Sequence, residues 1–261
     1  MQLTLDWPWP AGLAFMLVFL RMSGFFTIFP LFSRPYCPIT VQIFLALLTA
    51  ALLGPGLIMD AVPLLAGRLE MLQFALLAVR EITLGVALGF SAYVIIVVGQ
   101  MAGQFLDYQM GFFTASEIDP QFGTNIPLMG NYLYLFTLII FVGVNGHHHL
   151  LRILRESFTH APLGAPFTPQ ALSPMFELVS WMFSAAIQLS LPVLGCLFAT
   201  AVAMGVLART MPQLNIFVLG IPLRILMGFV ILLAGVPVYG AFLRGQTIDQ
   251  LDQLMRILRA W

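Results

Sequence analysis

Six long apolar runs, nearly free of charge, dominate the chain: Trp7–Phe29, Val41–Leu65, Met71–Ala102, Ile126–Val144, Met175–Ala208 and Leu214–Leu243. A helix crosses a bilayer core with about 20 apolar residues, and each run is near or above that length. In hydrocarbon every backbone N–H and C=O needs a partner within the chain, so a spanning segment is a helix or a strand of a closed barrel. The runs lack the apolar–polar alternation over about ten residues that marks barrel strands. The sequence therefore predicts an all-α protein of the integral membrane type, with long hydrophobic helices and helical hairpins.

Composition narrows the function classes. Only 8% of the 261 residues are charged, against about 25% in a soluble domain. The 11 cations are all arginine, which removes a P-loop lysine and a Schiff-base lysine from consideration. Two cysteines, Cys37 and Cys196, make no disulfide framework and no cysteine-rich metal site. A formal charge of zero gives no electrostatic reason to expect nucleic acid. The first run is expected to be retained, because Asp6 and no cation precedes it, Arg21 interrupts it, and "PLFSRPY" offers no small-x-small cleavage site.

Several runs are poorly suited to plain lipid-facing spans. Met71–Ala102 has 32 residues, roughly 48 Å as one helix against a core of roughly 30 Å. Gly54-Pro55-Gly56, Pro192, Pro222 and Pro237 predict breaks or kinks. Such breaks are tolerated where protein or a watery cavity covers the freed backbone, which favours an assembly or a pore. With the amino terminus in the cytoplasm, inside-facing segments hold Arg68, Arg152, Arg155, Arg244, Arg256 and Arg259, and outside ones only Arg34 and Arg209. That bias predicts both termini inside, and it puts Asp107, Glu117 and Asp119 on the far side.

Candidate chemistry is sparse. Adjacent residues on a helix point about 100° apart, so His147-His148-His149 cannot all meet one ion, and the run is expected to be a polar loop at the membrane surface. No G-x-S-x-G occurs, so no nucleophile is evident and neither an enzymatic activity nor a cofactor is expected. Charges inside apolar runs are costly and call for partners. Arg80 and Glu81, being adjacent, are expected to pair with other helices or subunits rather than with each other; Arg21 and Arg224 look isolated. Gly85-x-x-x-Gly89, Gly99-x-x-x-Gly103 and Ala201-x-x-x-Gly205 predict close helix contacts. Between Gly103 and Pro127 the chain reads as a loop bounded by turn residues that carries Phe112, Phe113 and Phe122. Apolar rings on such a loop either block a pore by dewetting or pack on neighbouring helices.

The series "LRMSGFFTIFPLFSRPYCPITVQIFLALLTAALLGP", "REITLGVALGF", "GQMAGQFLDYQMGFF", "SFTHAPLG" and "ARTMPQLNIFVLGIPLRILMGF", in this order over nearly the whole chain, resembles the FliR family of flagellar export proteins and its injectisome counterparts. The resemblance implies a subunit of a type III secretion export gate in the bacterial inner membrane, at the flagellar basal body. There it would pass unfolded export substrates in company with FliP and FliQ, with FlhB and FlhA nearby and lipid covering only part of its surface. It implies a FliP-like part over 1–174 that includes a plug loop at 103–127, and a FliQ-like part over 175–261. By the same resemblance Gly111, Phe112, Phe113, Thr114 and Phe122 plug the closed pore. Arg80, Glu81, Asp107, Arg209, Asn215 and Arg224 are the residues expected at polar contacts between subunits. A self-contained secondary transporter is the alternative that composition leaves open, since broken helices and buried charges suit it equally.

Overall fold

The computed structural model describes residues 9–32, 37–65, 71–112, 127–163, 173–211 and 216–259. These form α1 (Trp9–Ile28), α2 (Ile39–Leu65), α3 (Met71–Met110), α4 (Leu128–Gly143), α5 (Gly146–His160), α6 (Ser173–Thr210) and α7 (Ile216–Arg259). No strand occurs among the described residues. Arg34, Arg68, Phe113, Thr114, Glu117, Asp119, Phe122 and Asn215 lie outside them. Five helices contain stretches long and apolar enough to cross a membrane: Pro10–Ile28, Ile39–Ile58, Met71–Met110, Met175–Thr210 and Leu219–Arg256. The pair α4 and α5 makes a sixth if taken as one broken span.

The helices are longer and less broken than the sequence predicts. Gly54-Pro55-Gly56 lies inside α2, Pro192 inside α6, and Pro222 and Pro237 inside α7. All three of the last-named prolines are exposed. A proline deletes one N–H and crowds one carbonyl, and long apolar helices absorb both losses locally. The break that does occur is between α4 and α5, at Val144 and Asn145. Asn145 takes φ 58° and donates its N–H to the Val142 carbonyl. Asparagine tolerates this left-handed conformation better than most residues, so it ends a helix much as glycine does.

Two predicted loops are helical. Residues 103–110 extend α3 to 40 residues, so the polar opening of the segment 103–127 belongs to the helix. Its few polar groups alternate with Ala102, Leu106 and Met110, which recur every four residues on a buried face. The histidine run begins α5 and is not a surface loop. Leu150, Ile153, Leu154 and Phe158 are buried at helical spacing, which gives this charged segment an amphipathic face.

By contacts the chain forms two compact units of interleaved segments: Met1–Val94, His147–Leu178 and Leu251–Trp261, and then Ile95–Gly146 with Val179–Gln250. This is a division by packing, distinct from the division by resemblance at 174/175. In the first unit α1 packs against α2 and α3. Gly24 sits so near the α3 backbone that an added Cβ would lie 2.6 Å from the Ile82 carbonyl, and a Cβ on Gly89 would lie 2.7 Å from that of Phe25. A Cβ on Gly85 would overlap the Arg21 carbonyl. Phe25 and Phe29 stack beside this contact with centroids 5.1 Å apart. In the second unit the end of α3 packs with α4, α6 and α7 around Leu106, Leu133, Leu189, Val193 and Leu232. A side chain on Gly99 would collide with Thr137, and one on Gly103 with the backbone of Met129 and Gly130. Gly205 has open space beside it, so its small-residue pair makes no close contact within the chain.

Candidate functional site

The first unit holds a buried charge cluster where α1, α3 and the end of α5 meet. Arg21 and Glu81 are both fully buried, and the Arg21 Nε donates to Glu81 Oε2 at 2.5 Å. The same guanidinium donates to the Ser157 carbonyl at 3.0 Å, the Ser157 hydroxyl at 3.2 Å and the Ala161 carbonyl at 2.9 Å. It also lies 4.1 Å over the Phe158 ring. Arg80 donates to Glu81 Oε1 at 3.1 Å and to the Pro162 carbonyl at 3.2 Å. Two cations thus share one carboxylate and face carbonyls at and beyond the C-terminus of α5, where the helix dipole is negative. The excess positive charge is offset by those carbonyl dipoles and by the aromatic face.

This arrangement corrects two expectations. Glu81 does pair with another helix, through Arg21 of α1, but Arg80 and Glu81 also meet each other, although adjacent on one helix, because the long arginine side chain reaches back to a carboxylate held inward by Arg21. Arg21 is not isolated: it is the most connected side chain of the cluster. The sequence signal for it was a single arginine inside an otherwise apolar run, without any sign of its partner 60 positions later.

Asp107 occupies a comparable position in the second unit. It is fully buried, and its two carboxylate oxygens accept the N–H groups of Met129 and Gly130, each at 2.9 Å. The first turn of a helix has N–H groups without intrahelical acceptors, and Pro127 at the N-cap makes no side-chain bond. A carboxylate from α3 supplies the missing acceptors and complements the positive end of α4. Arg80, Glu81 and Asp107, expected at contacts between subunits, therefore have their polar partners inside this chain.

The remaining site residues are less engaged. Arg209 is exposed near the end of α6. Arg224, on α7, is half-buried, and its Nε is buried with no hydrogen-bond partner. Gly111 ends α3 with φ 88°, its N–H directed to the carbonyls of Asp107 at 3.2 Å and Tyr108 at 3.3 Å. Phe112 is half-buried against the core shared by α3, α4, α6 and α7. Among the described residues no group of three or more His, Cys, Asp or Glu side chains is placed to hold a metal ion.

Large apolar side chains are exposed along nearly all of α6 and much of α7. On α6 they run from Phe176, 78% exposed, through Phe198 to Met211 just past its end; on α7 from Leu219 through Leu233 to Ile248. The interior is itself mainly apolar, with a few paired polar groups, so apolar side chains cover both inside and outside, unlike a water-soluble bundle.

Comparison with known proteins identifies the family. Residues 13–249 match the family described as bacterial export proteins, family 1. The chain is 35% identical over 258 residues to the flagellar biosynthetic protein FliR of Bacillus subtilis (strain 168), covering 94% of this chain and 95% of the relative. It is 31% identical over 225 residues to the protein of the same name from Escherichia coli (strain K12), covering 85% and 84%. The surface presentation of antigens protein SpaR of Shigella flexneri is 25% identical over 224 residues, with 85% of each chain covered. With nearly its full length matched in this way, the chain belongs to the bacterial export proteins of family 1, the FliR family.

Proposed function

We propose that this chain is a subunit of the export gate of a bacterial type III secretion system, seated in the inner membrane at the base of a flagellum. With FliP- and FliQ-like subunits it lines the passage for unfolded export substrates, and FlhB- and FlhA-like proteins are its neighbours. Support for an export role comes from the family and from relatives named as flagellar biosynthetic proteins.

The observation that carries the multi-subunit reading is the reach of the exposed apolar surface. From Phe176 to Met211 it extends along essentially all of α6, roughly 50 Å at about 1.5 Å per residue. A hydrocarbon core covers only about 30 Å, and a helix at the usual tilt of about 20° gains little from leaning. Lipid alone leaves a long apolar stretch uncovered, whereas sister subunits with matching helices would cover it. The unpartnered Nε of Arg224 on α7 fits a contact of the same kind, with an acceptor supplied by a neighbour. Arg209 and Asn215 are assigned to such contacts as well.

In this reading the segment around Gly111, Phe112, Phe113, Thr114 and Phe122 closes the resting pore by apolar dewetting and moves aside for a substrate. Deleting Gly111 to Ala115 should leave the complex assembled and leaky to small ions. Unchanged conductance in the deleted complex would falsify the plug. Co-purification tests the wider reading: stable FliP- and FliQ-like partners are expected, and a monodisperse lone monomer that binds a small solute would favour a secondary transporter.

A further inference from the structure

We propose that the outer face of α5 binds the headgroups of anionic phospholipids at the membrane surface. The inference goes beyond the export reading: it requires only that the chain sits in a membrane, and it holds whether or not the chain lines a passage.

The two faces of α5 differ in chemistry. At about 100° per residue, His148, Leu151, Arg152, Arg155 and Thr159 fall within an arc of about 100°. All five are exposed. Leu150, Ile153, Leu154 and Ser157 lie on the opposite side and are buried. The end of the helix is held by Arg21, which donates to the carbonyls of Ser157 and Ala161. A helix fixed along its inner face and at its end thus presents the outer face with its side chains free for a partner from outside the chain.

Charge sets the class of that partner. Arg21 and Arg80 share Glu81, whereas Arg152 and Arg155 make no ion pair and no hydrogen bond with any described residue. Glu156, four residues after Arg152, is half-buried at the flank of the face and pairs with neither arginine. Two guanidinium groups one helical turn apart therefore lack an anion. Their planar forks match the oxygens of a phosphate, and His148 can add a ring N–H.

Position favours a lipid phosphate. Charged side chains facing hydrocarbon are costly, so a helix that turns two arginines outward in a membrane protein belongs at the headgroup level. Leu151, 41% exposed, stands between His148 and Arg152 on the same face. Basic residues with an apolar neighbour are the pattern of a helix lying in the interface, where arginines reach phosphates and the leucine dips toward the acyl chains. The same compact unit exposes Phe44, Leu48 and Leu52 on the membrane-length α2, a surface suited to acyl chains. A phospholipid satisfies both surfaces.

The test offers the full chain, purified in a non-ionic detergent, an equimolar mixture of phosphatidylglycerol and phosphatidylcholine, and counts retained lipid by native mass spectrometry. The parent should retain phosphatidylglycerol in preference. One arginine near an anionic surface contributes about fivefold in binding, so Arg152→Gln or Arg155→Gln should lower retained phosphatidylglycerol about fivefold and the double variant about 30-fold. Retained phosphatidylcholine should not change. Arg152→Lys with Arg155→Lys keeps the charge without the fork and should stay within about threefold of the parent. Both arginines are exposed and unpaired, so the thermal midpoint of the double glutamine variant should stay within about 2 °C of the parent.

Phosphatidylglycerol retention by the double glutamine variant within about twofold of the parent would overturn the proposal. An equal fall in both lipids would overturn it too, because the headgroup would then not be what is read. Unchanged phosphatidylglycerol retention with loss of a co-purified acidic protein would assign the face to that protein instead. If the double glutamine variant does not fold, the two single variants decide by the same fivefold criterion.

Discussion

Replacing Glu81 with alanine removes the carboxylate shared by Arg21 and Arg80, and the structure orders the consequences. Arg21 is fully buried and Arg80 nearly so, at 8% exposure. Removing one partner of a buried ion pair costs about 3–5 kcal/mol, because the other charge is left in a low-dielectric interior. Arg21 keeps the carbonyls of Ser157 and Ala161 and the Phe158 ring, which sets the cost near the lower end, about 3 kcal/mol. At about 2–4 °C per kcal/mol for a chain of this size, the thermal midpoint should fall by roughly 6–12 °C.

Two companions separate lost charge from lost shape. Glu81→Gln keeps the volume but leaves one acceptor where two guanidinium groups donate, so one bond is lost and its donor faces an amide N–H, a loss of about 1–3 kcal/mol. Arg80→Ala leaves the inner pair of Arg21 and Glu81 intact and should cost least. The assay is thermal unfolding of the purified protein in detergent at one fixed scan rate, followed by tryptophan fluorescence. A Glu81→Ala midpoint within about 2 °C of the parent, or an Arg80→Ala effect as large as that of Glu81→Ala, would refute the electrostatic account.

Charge reversal at Arg80 is harsher than truncation. Arg80→Glu puts two carboxylates beside the Pro162 carbonyl, so recovery of the co-purified complex should drop sharply, and full recovery would remove any structural role for Arg80. Among the glycines, Gly85→Ala must displace the α1 backbone, whereas Gly195, with nothing within 4 Å, has room for a methyl. In thermal melts Gly85→Ala should lower the midpoint, and Gly195→Ala should leave it unchanged or raise it by up to about 2–4 °C, the equivalent of about 1 kcal/mol of helix propensity. Equal behaviour of the two would contradict the close α1–α3 contact.

Much of the helical layout was legible because apolar runs without alternation leave the backbone one solution in hydrocarbon. The glycine pairs on α3 were visible too, since small residues four apart have few other uses in such a run. The rest was hidden for a common physical reason: the average polarity of a run carries no information on its phase. The α5 segment averages polar because of its histidines and arginines, yet Leu150, Ile153, Leu154 and Phe158 keep a helical period. Residues 103–110 looked loop-like because Gln104, Asp107 and Gln109 dilute the same period in α3. Prolines do not break α6 or α7, since one missing N–H is a small loss in a helix of 38 or 44 residues. The partners of Arg21 and Asp107 were out of reach of any local rule, because each is set by a helix far along the chain.

Synthesis order gives the Arg21 cluster a history. Arg21 leaves the ribosome 60 residues before Glu81 and 136 before Ser157. At about 5–20 residues per second, the carboxylate follows by roughly 3–12 s and the α5 carbonyls by roughly 7–27 s. During that interval α1 carries a lone cation at a cost of about 2.5–3.5 kcal/mol if it lies at mid-membrane, which its apolar flanks must outweigh for it to insert. Helix α1 is therefore late to reach its final electrostatic state, and its docking onto α3 and α5 reports that the nascent chain has passed residue 161.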